Sequence, residues 1–169
     1  MNSLVSANLS CLQQGLVFLE SLPETLYARP CEDLFGSSIG SHMRHNLDHY
    51  AAFVAGLGSS MIDYDNRERE ELLETDPSTA ISLMNRLMVI LEQLGETDLD
   101  RPMQICMDDG RDSTRSATSL RRELQFLLSH SIHHYALMVA IARGFGIRRF
   151  PENFGIAPST IHYHADKGA

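Results

Sequence analysis

Two short stretches hold most of the imidazole in this chain. His42, His45 and His49 lie within the segment SHMRHNLDH, and His130, His133 and His134 follow some eighty residues later, so six of the eight histidines sit in two clusters. Imidazole is a common ligand for divalent transition metals. At about 100° per helical residue, His130 and His134, four positions apart, share one face. Phe126, Leu127, Leu137 and Ile141 fall on that same face, so both rings are expected to point into a core, where an unpartnered polar group is costly. A pair at this spacing can bring two ring nitrogens to one ion, at about 2.0–2.1 Å for zinc. His133 lies to one side, at the helix edge.

His42, His45 and His49, spaced three and four apart, form a second stripe beside an apolar face of Ile39, Met43, Leu47, Tyr50, Val54 and Leu57. Two stripes on facing helices can supply a three-imidazole site. Periodicity places His42 and His49 nearer the apolar face than His45 and leaves the choice among them open. The competing reading is a set of surface or interface histidines. His162 and His164, near the end of the chain, are expected to be exposed.

Four helices are needed to carry these residues. Leu9, Leu12, Leu16 and Leu19 mark the first, which should stop near Leu22-Pro23. The second starts at Gly36-Ser37-Ser38 with a serine cap and runs through the first cluster to Gly56-Leu57-Gly58. A charged loop, residues 63–70, follows and reads as solvated surface. Asp76-Pro77 starts the third helix, with Ile81, Met84, Leu87, Met88, Leu91 and Leu94 on one side and Gly95 at its end. Met103-Gln104-Ile105-Cys106-Met107 alternates weakly and Asp109-Gly110 is a turn signal, which predicts a short hairpin or extended crossover. The last helix spans about Ser119 to Arg143, before Gly144. This pattern predicts an all-α chain, a four-helix bundle with a long crossover before its last helix. One domain is expected over residues 1–169, with 150–169 a tail packed on it.

Bulk properties narrow the function. The net charge of −8, with basic residues spread out, argues against a nucleic-acid partner. No stretch approaches the roughly 20 apolar residues of a membrane span, and MNSLVSANLS, without a basic region followed by an apolar run, is not expected to be a signal peptide. Three cysteines, odd in number and outside any CxxC pair, suit a reducing cytoplasm.

Taken together, these residues resemble the DinB/YfiT-like superfamily of metal-dependent helical-bundle proteins, over nearly the whole chain. That resemblance implies a segment Ser-hydrophobic followed by histidine on the second helix, matched by Ser38-Ile39-Gly40-Ser41-His42-Met43-Arg44-His45, and it implies His45 as a metal ligand. Its HxxxH on the last helix is matched by His130 and His134. His42 and His49 are additional imidazoles, able to replace or assist His45. The resemblance also implies two chemistries on a small-molecule substrate, hydrolysis and transfer using a low-molecular-weight thiol, and a homodimer.

Three neutral imidazoles would leave a divalent ion with its full charge and an open position, the form of a catalytic rather than a structural site. Zinc or nickel is expected, because imidazole suits both. His49, His42 and Tyr50 are the candidates for proton carrier or supporting partner. The alternatives are a non-catalytic protein whose ion holds the bundle, with His49 as fourth ligand, and a dimeric module with surface histidines.

Overall fold

The helix starts follow the capping chemistry of the sequence. The computed structural model describes residues 2–34, 36–96, 98–108, 110 and 113–167. Asn2 accepts from the N–H of Leu4 and opens α1, Ser3–Ser21. A single turn, α2 (Glu24–Tyr27), follows Pro23, and a 3-10 turn at Glu32–Leu34 leads to Ser38. Ser38 and Ser41 then cap one another's backbone N–H groups at 2.9 and 3.0 Å and start α3, Ile39–Gly56. After β1 (Met61–Asp63) and the short α4 (Leu72–Thr75), Asp76 accepts from the N–H groups of Ser78 and Thr79 and Pro77 opens α5, Pro77–Glu92. A 3-10 turn, Gln93–Glu96, ends this helix. Strands β2 (Pro102–Asp108) and β3 (Ser113–Ser119) precede α6, Leu120–Gly144, which Ser119 caps. The chain closes with α7, Pro158–Lys167.

The chain is mostly helical. Helices α1 and α3 each pack on both α5 and α6. Leu12, Leu16 and Phe18 of α1 meet Met43, Leu47 and Tyr50 of α3, Met84 and Leu91 of α5, and Leu124, Leu127 and Met138 of α6 in one apolar cluster. The buried face of α6 runs through Leu120, Leu124, Leu127, Ser131, Tyr135 and Met138. This corrects the expectation that His130 and His134 point into the core. They are half-buried, on the edge of that face, where α6 lies beside α3.

The all-α expectation is also corrected. The three strands form one sheet in the order β1-β2-β3, with β2 and β3 antiparallel, Pro102 opposite Ser119 and Asp108 opposite Ser113. The expected extended crossover is this pair. Of its expected turn, Asp109 lies outside the described residues, and Gly110 has φ +93°. Strand β1 pairs in parallel with β2, Ile62 opposite Ile105, so α4 and α5 serve as the crossover that a parallel pair requires. Past α6, Phe154 stacks on Phe18 and Tyr135, with ring centroids 4.7 and 4.4 Å apart. Gly155, at φ +74°, lies so close to α6 that a Cβ there would stand 2.7 Å from the Ala136 nitrogen. Beyond it, α7 is a helix that the sequence pattern did not announce.

Candidate metal centre

One face of α3 and one edge of α6 bring five imidazoles into a continuous cluster. His45 lies at its middle, with ring centroids 4.5 Å from His49, 5.0 Å from His130 and 4.7 Å from His134. His130 stands 4.5 Å from both His49 and His134. These four rings therefore form a rhombus whose short diagonal joins His45 to His130. His42 adjoins His134 on the outside, at 5.1 Å. His133 is exposed and touches only the edge of His134 within the cluster. His162 and His164 are exposed on α7, as expected.

The rhombus contains two candidate triads, which share His45 and His130. Nitrogens of His45, His49 and His130 lie within 4.8 Å of one another. By proximity, then, the third corner is His49 rather than His134. Two nitrogens on one tetrahedral zinc would stand about 3.4 Å apart, by the usual Zn–N length, so the first triad must draw together around an ion. The triad with His134, whose nitrogens do not all lie within 4.8 Å of one another, must close further.

Hydrogen bonds distinguish the two corners. Ser37 gives its hydroxyl proton to the Leu34 carbonyl at 2.7 Å, so its oxygen accepts from His42 Nε2 at 3.2 Å. A neutral His42 then has its lone pair on Nδ1, and His134 Nδ1 must donate to it across 2.9 Å. That relay leaves the Nε2 lone pair of His134 free. His49 is committed at both nitrogens. Its Nδ1 donates to the His45 carbonyl at 2.7 Å, and its Nε2 accepts from Arg67 Nη1 at 3.2 Å. The network, rather than observed protons, fixes these tautomers.

Burial keeps the rings neutral. It pushes His45 and His49 down to about 4, with the Arg67 guanidinium a further cause at both, and His130 and His134 down to about 3, where neighbouring imidazoles add to it. His42 is lowered for the same first reason. Neutral imidazoles are the form a metal requires. One nitrogen is also left over: His130 Nε2 is buried without a hydrogen-bond partner. No hydrogen bond fixes the tautomer of His130, and in the form with its proton on Nδ1 the buried Nε2 lone pair is a donor for a cation, so the residues fit a divalent metal.

Tyr50, a candidate proton carrier, does not join this cluster. It is fully buried, and its hydroxyl donates to Asn8 Oδ1 at 2.8 Å, because α3 turns this residue towards α1. Its place beside the centre is taken by residues the sequence reading passed over. Tyr64, at the end of β1, packs its ring 5.5 Å from His49 and donates to the buried carboxylate of Glu123 at 2.9 Å. Thr118 donates to the other oxygen of Glu123 at 2.6 Å. Arg67, read from sequence as part of a solvated loop, is anchored by the Tyr64 carbonyl and reaches His49. Ile62 and Tyr64 alternating with Asp63 and Asp65 was the available signal, a strand pattern too short to stand out. Beyond Arg67 opens a cavity of about 410 Å³, lined by Asp48, Ala51, Ala55, Leu73 and Leu83 together with Arg67 itself.

The sequence matches no family model. FK506-binding protein 5 from Rhizopus delemar is 32% identical over 107 residues, which is 62% of this chain but only 28% of that protein, so the chain spans little more than a quarter of that relative's length. Among solved structures, the crystal structure of the DinB-like protein YjoA from Bacillus subtilis matches 90% of this chain and 99% of that one, with a TM-score of 0.67 at 25% identity. No helix among the described residues is long and apolar enough to cross a membrane. The histidine pattern on two helices and this structural match agree, and the chain belongs to the DinB-like superfamily.

Proposed function

We propose that the protein is a metal-dependent enzyme whose divalent ion is held by His45, His130 and His134. The observation that carries this reading is the buried, partnerless Nε2 of His130 within a rhombus of neutral imidazoles. His134 is the third ligand because its Nε2 lone pair is free and its Nδ1–H is held by His42, the outer support that a metal-bound histidine usually has. The four long helices then act as the four-helix bundle of the family, with the site built across α3 and α6.

His45, His130 and His134 would hold the ion, which when bound would supply Lewis-acid activation of a water or a carbonyl. Zinc or nickel suits the donor set. The chain's own residues supply the rest. His42 holds the tautomer of His134, and Tyr64 and Phe126 wall the centre beside His49. The cavity that Arg67 and Asp48 line, on the side of Arg67 away from the imidazoles, is of the size that takes a small molecule. The reaction we propose is hydrolysis or thiol-dependent transfer on such a substrate, with a low-molecular-weight thiol as co-substrate in the second case. One domain, a homodimer and a cytoplasmic setting complete the proposal.

The nearness of His49 favours a second reading, in which four imidazoles close around an ion that only holds the fold. Elemental analysis of the purified protein and of its His45→Ala and His130→Ala variants tests the shared part. The expected result is near-stoichiometric zinc or nickel in the wild type and little in either variant. Equal metal in all three would sink both readings.

A further inference from the structure

Arg67 has an unusual set of neighbours for a surface-loop arginine. Both hydrogens of its Nη1 are committed, one to the Tyr64 carbonyl and one to His49 Nε2. Its Nε is buried without a partner. The charges of Asp48 and Asp65 act on it, but among the described residues neither closes an ion pair with it. The guanidinium is thus a fixed cation held against the one lone pair of His49 that could meet a metal, since the other nitrogen of that ring carries its proton towards the His45 carbonyl. A divalent ion cannot share a lone pair already engaged by an N–H donor, and a neighbouring positive charge opposes its approach.

We propose that Arg67 is a positioning residue that withholds His49 from the metal, so that His134 becomes the third ligand and one coordination position stays open. The inference rests on the metal-binding reading above. It accounts for a centre with one imidazole more than a catalytic site needs. Proximity alone would close the site with His49, and the Arg67 contact prevents this. Strand β1 and its pairing with β2 acquire a purpose from it, because they place Tyr64, and through its carbonyl Arg67, beside α3. His49 then stays a neutral, polarised ring next to the open position.

Cobalt(II) is the probe, because its visible absorption is strong in four-coordinate sites and weak when five or six ligands are present. Metal-free wild type, Arg67→Met, His49→Ala and the double variant Arg67→Met/His49→Ala would each be titrated, with circular dichroism to show that each is folded. Met keeps much of the length of the side chain without donors or charge. The expected wild-type spectrum is strong, shifts when azide takes the open position, and is unaltered by His49→Ala. In Arg67→Met, His49 takes the open position, azide no longer shifts the spectrum, and cobalt binds about 10–100-fold more tightly, the scale on which outer residues tune metal affinity. The double variant should lose that gain. Cobalt bound alike by wild type and Arg67→Met, or a wild-type spectrum that changes in His49→Ala, would overturn the role of Arg67 alone. No cobalt bound by the wild type would overturn the metal reading and this inference with it.

Discussion

Helix α3 carries two sets of polar groups, and they are completed in different ways. Around Tyr50 every side-chain polar atom of the pair has a protein partner. The Tyr50 hydroxyl donates to Asn8, and the Asn8 amide donates to the carbonyls of Leu4 and Leu124 at 3.0 and 3.1 Å. Glu123, only 1% exposed, is likewise met at both oxygens by Tyr64 and Thr118. Around the imidazoles, His130 Nε2 has no partner, and neither polar atom of Asn46, the residue after His45, has one. A polar cluster that serves only the fold closes on itself, because each buried atom left open costs stability. The histidine cluster stays open at a nitrogen that a metal could use, whereas the open atom nearest Tyr50 is the Ser131 hydroxyl, a poor ligand for such an ion.

The sharpest way to break this comparison is to truncate one residue on each side. His130→Ala should abolish stoichiometric zinc while leaving the helical signal intact, since that ring is half-buried and makes no hydrogen bond through Nε2. Asn8→Ala should do the reverse. It strands the Tyr50 hydroxyl and removes a second donor from the Leu124 carbonyl, so the urea midpoint should fall by the equivalent of about 1–3 kcal/mol with zinc content unchanged. An Asn8 variant that lost metal, or a His130 variant that unfolded, would erase the distinction.

A smaller effect is expected from His42→Ala, which removes the acceptor for His134 Nδ1–H. Zinc affinity, read by competition with a chromophoric chelator, should weaken by about 10–100-fold without the complete loss seen at a ligand. Acid should also find the open cluster first. His45 and His49 titrate near 4 and His130 and His134 near 3 in the folded protein, below the unfolded value of 6.5. Between those values the unfolded chain takes up protons that the folded chain refuses, so metal-free protein should lose stability as pH falls from about 6.5 towards 4. Urea midpoints at pH 7 and pH 5 would show it, and His130→Ala should show a shallower loss. The smallest change is Asn46→Leu, which replaces a buried amide without partners by an apolar side chain of similar size. A gain of up to about 1 kcal/mol is expected, and a loss would mean the amide has a partner in solution.

Much of this arrangement was legible in the residues. Ser38, Asp76-Pro77 and Ser119 each start a helix because their side chains satisfy backbone N–H groups locally, which needs no tertiary information. Spacing also placed both histidine stripes on helices that meet. It misjudged depth, because a face on α6 with Phe126 and Leu137 looks like core until Leu124, Ser131, Tyr135 and Met138 take that side. The strand β1 was missed because three residues carry too little periodicity, and its parallel partner lies forty-odd positions away. Arg67 was missed for the same reason: only that long-range pairing lifts its loop onto His49. The tautomers of His134 and His49, which favour one triad over the other, depend on Ser37 and Arg67, and no sequence spacing encodes them.

The most direct test of the account is anomalous scattering from crystals of the zinc-loaded protein, measured on both sides of the zinc edge. The account predicts one peak bonded to His45, His130 and His134, with a non-protein ligand completing the sphere and Arg67 still against His49. A peak bonded to His49 in place of His134, or to all four imidazoles with no open position, would contradict it.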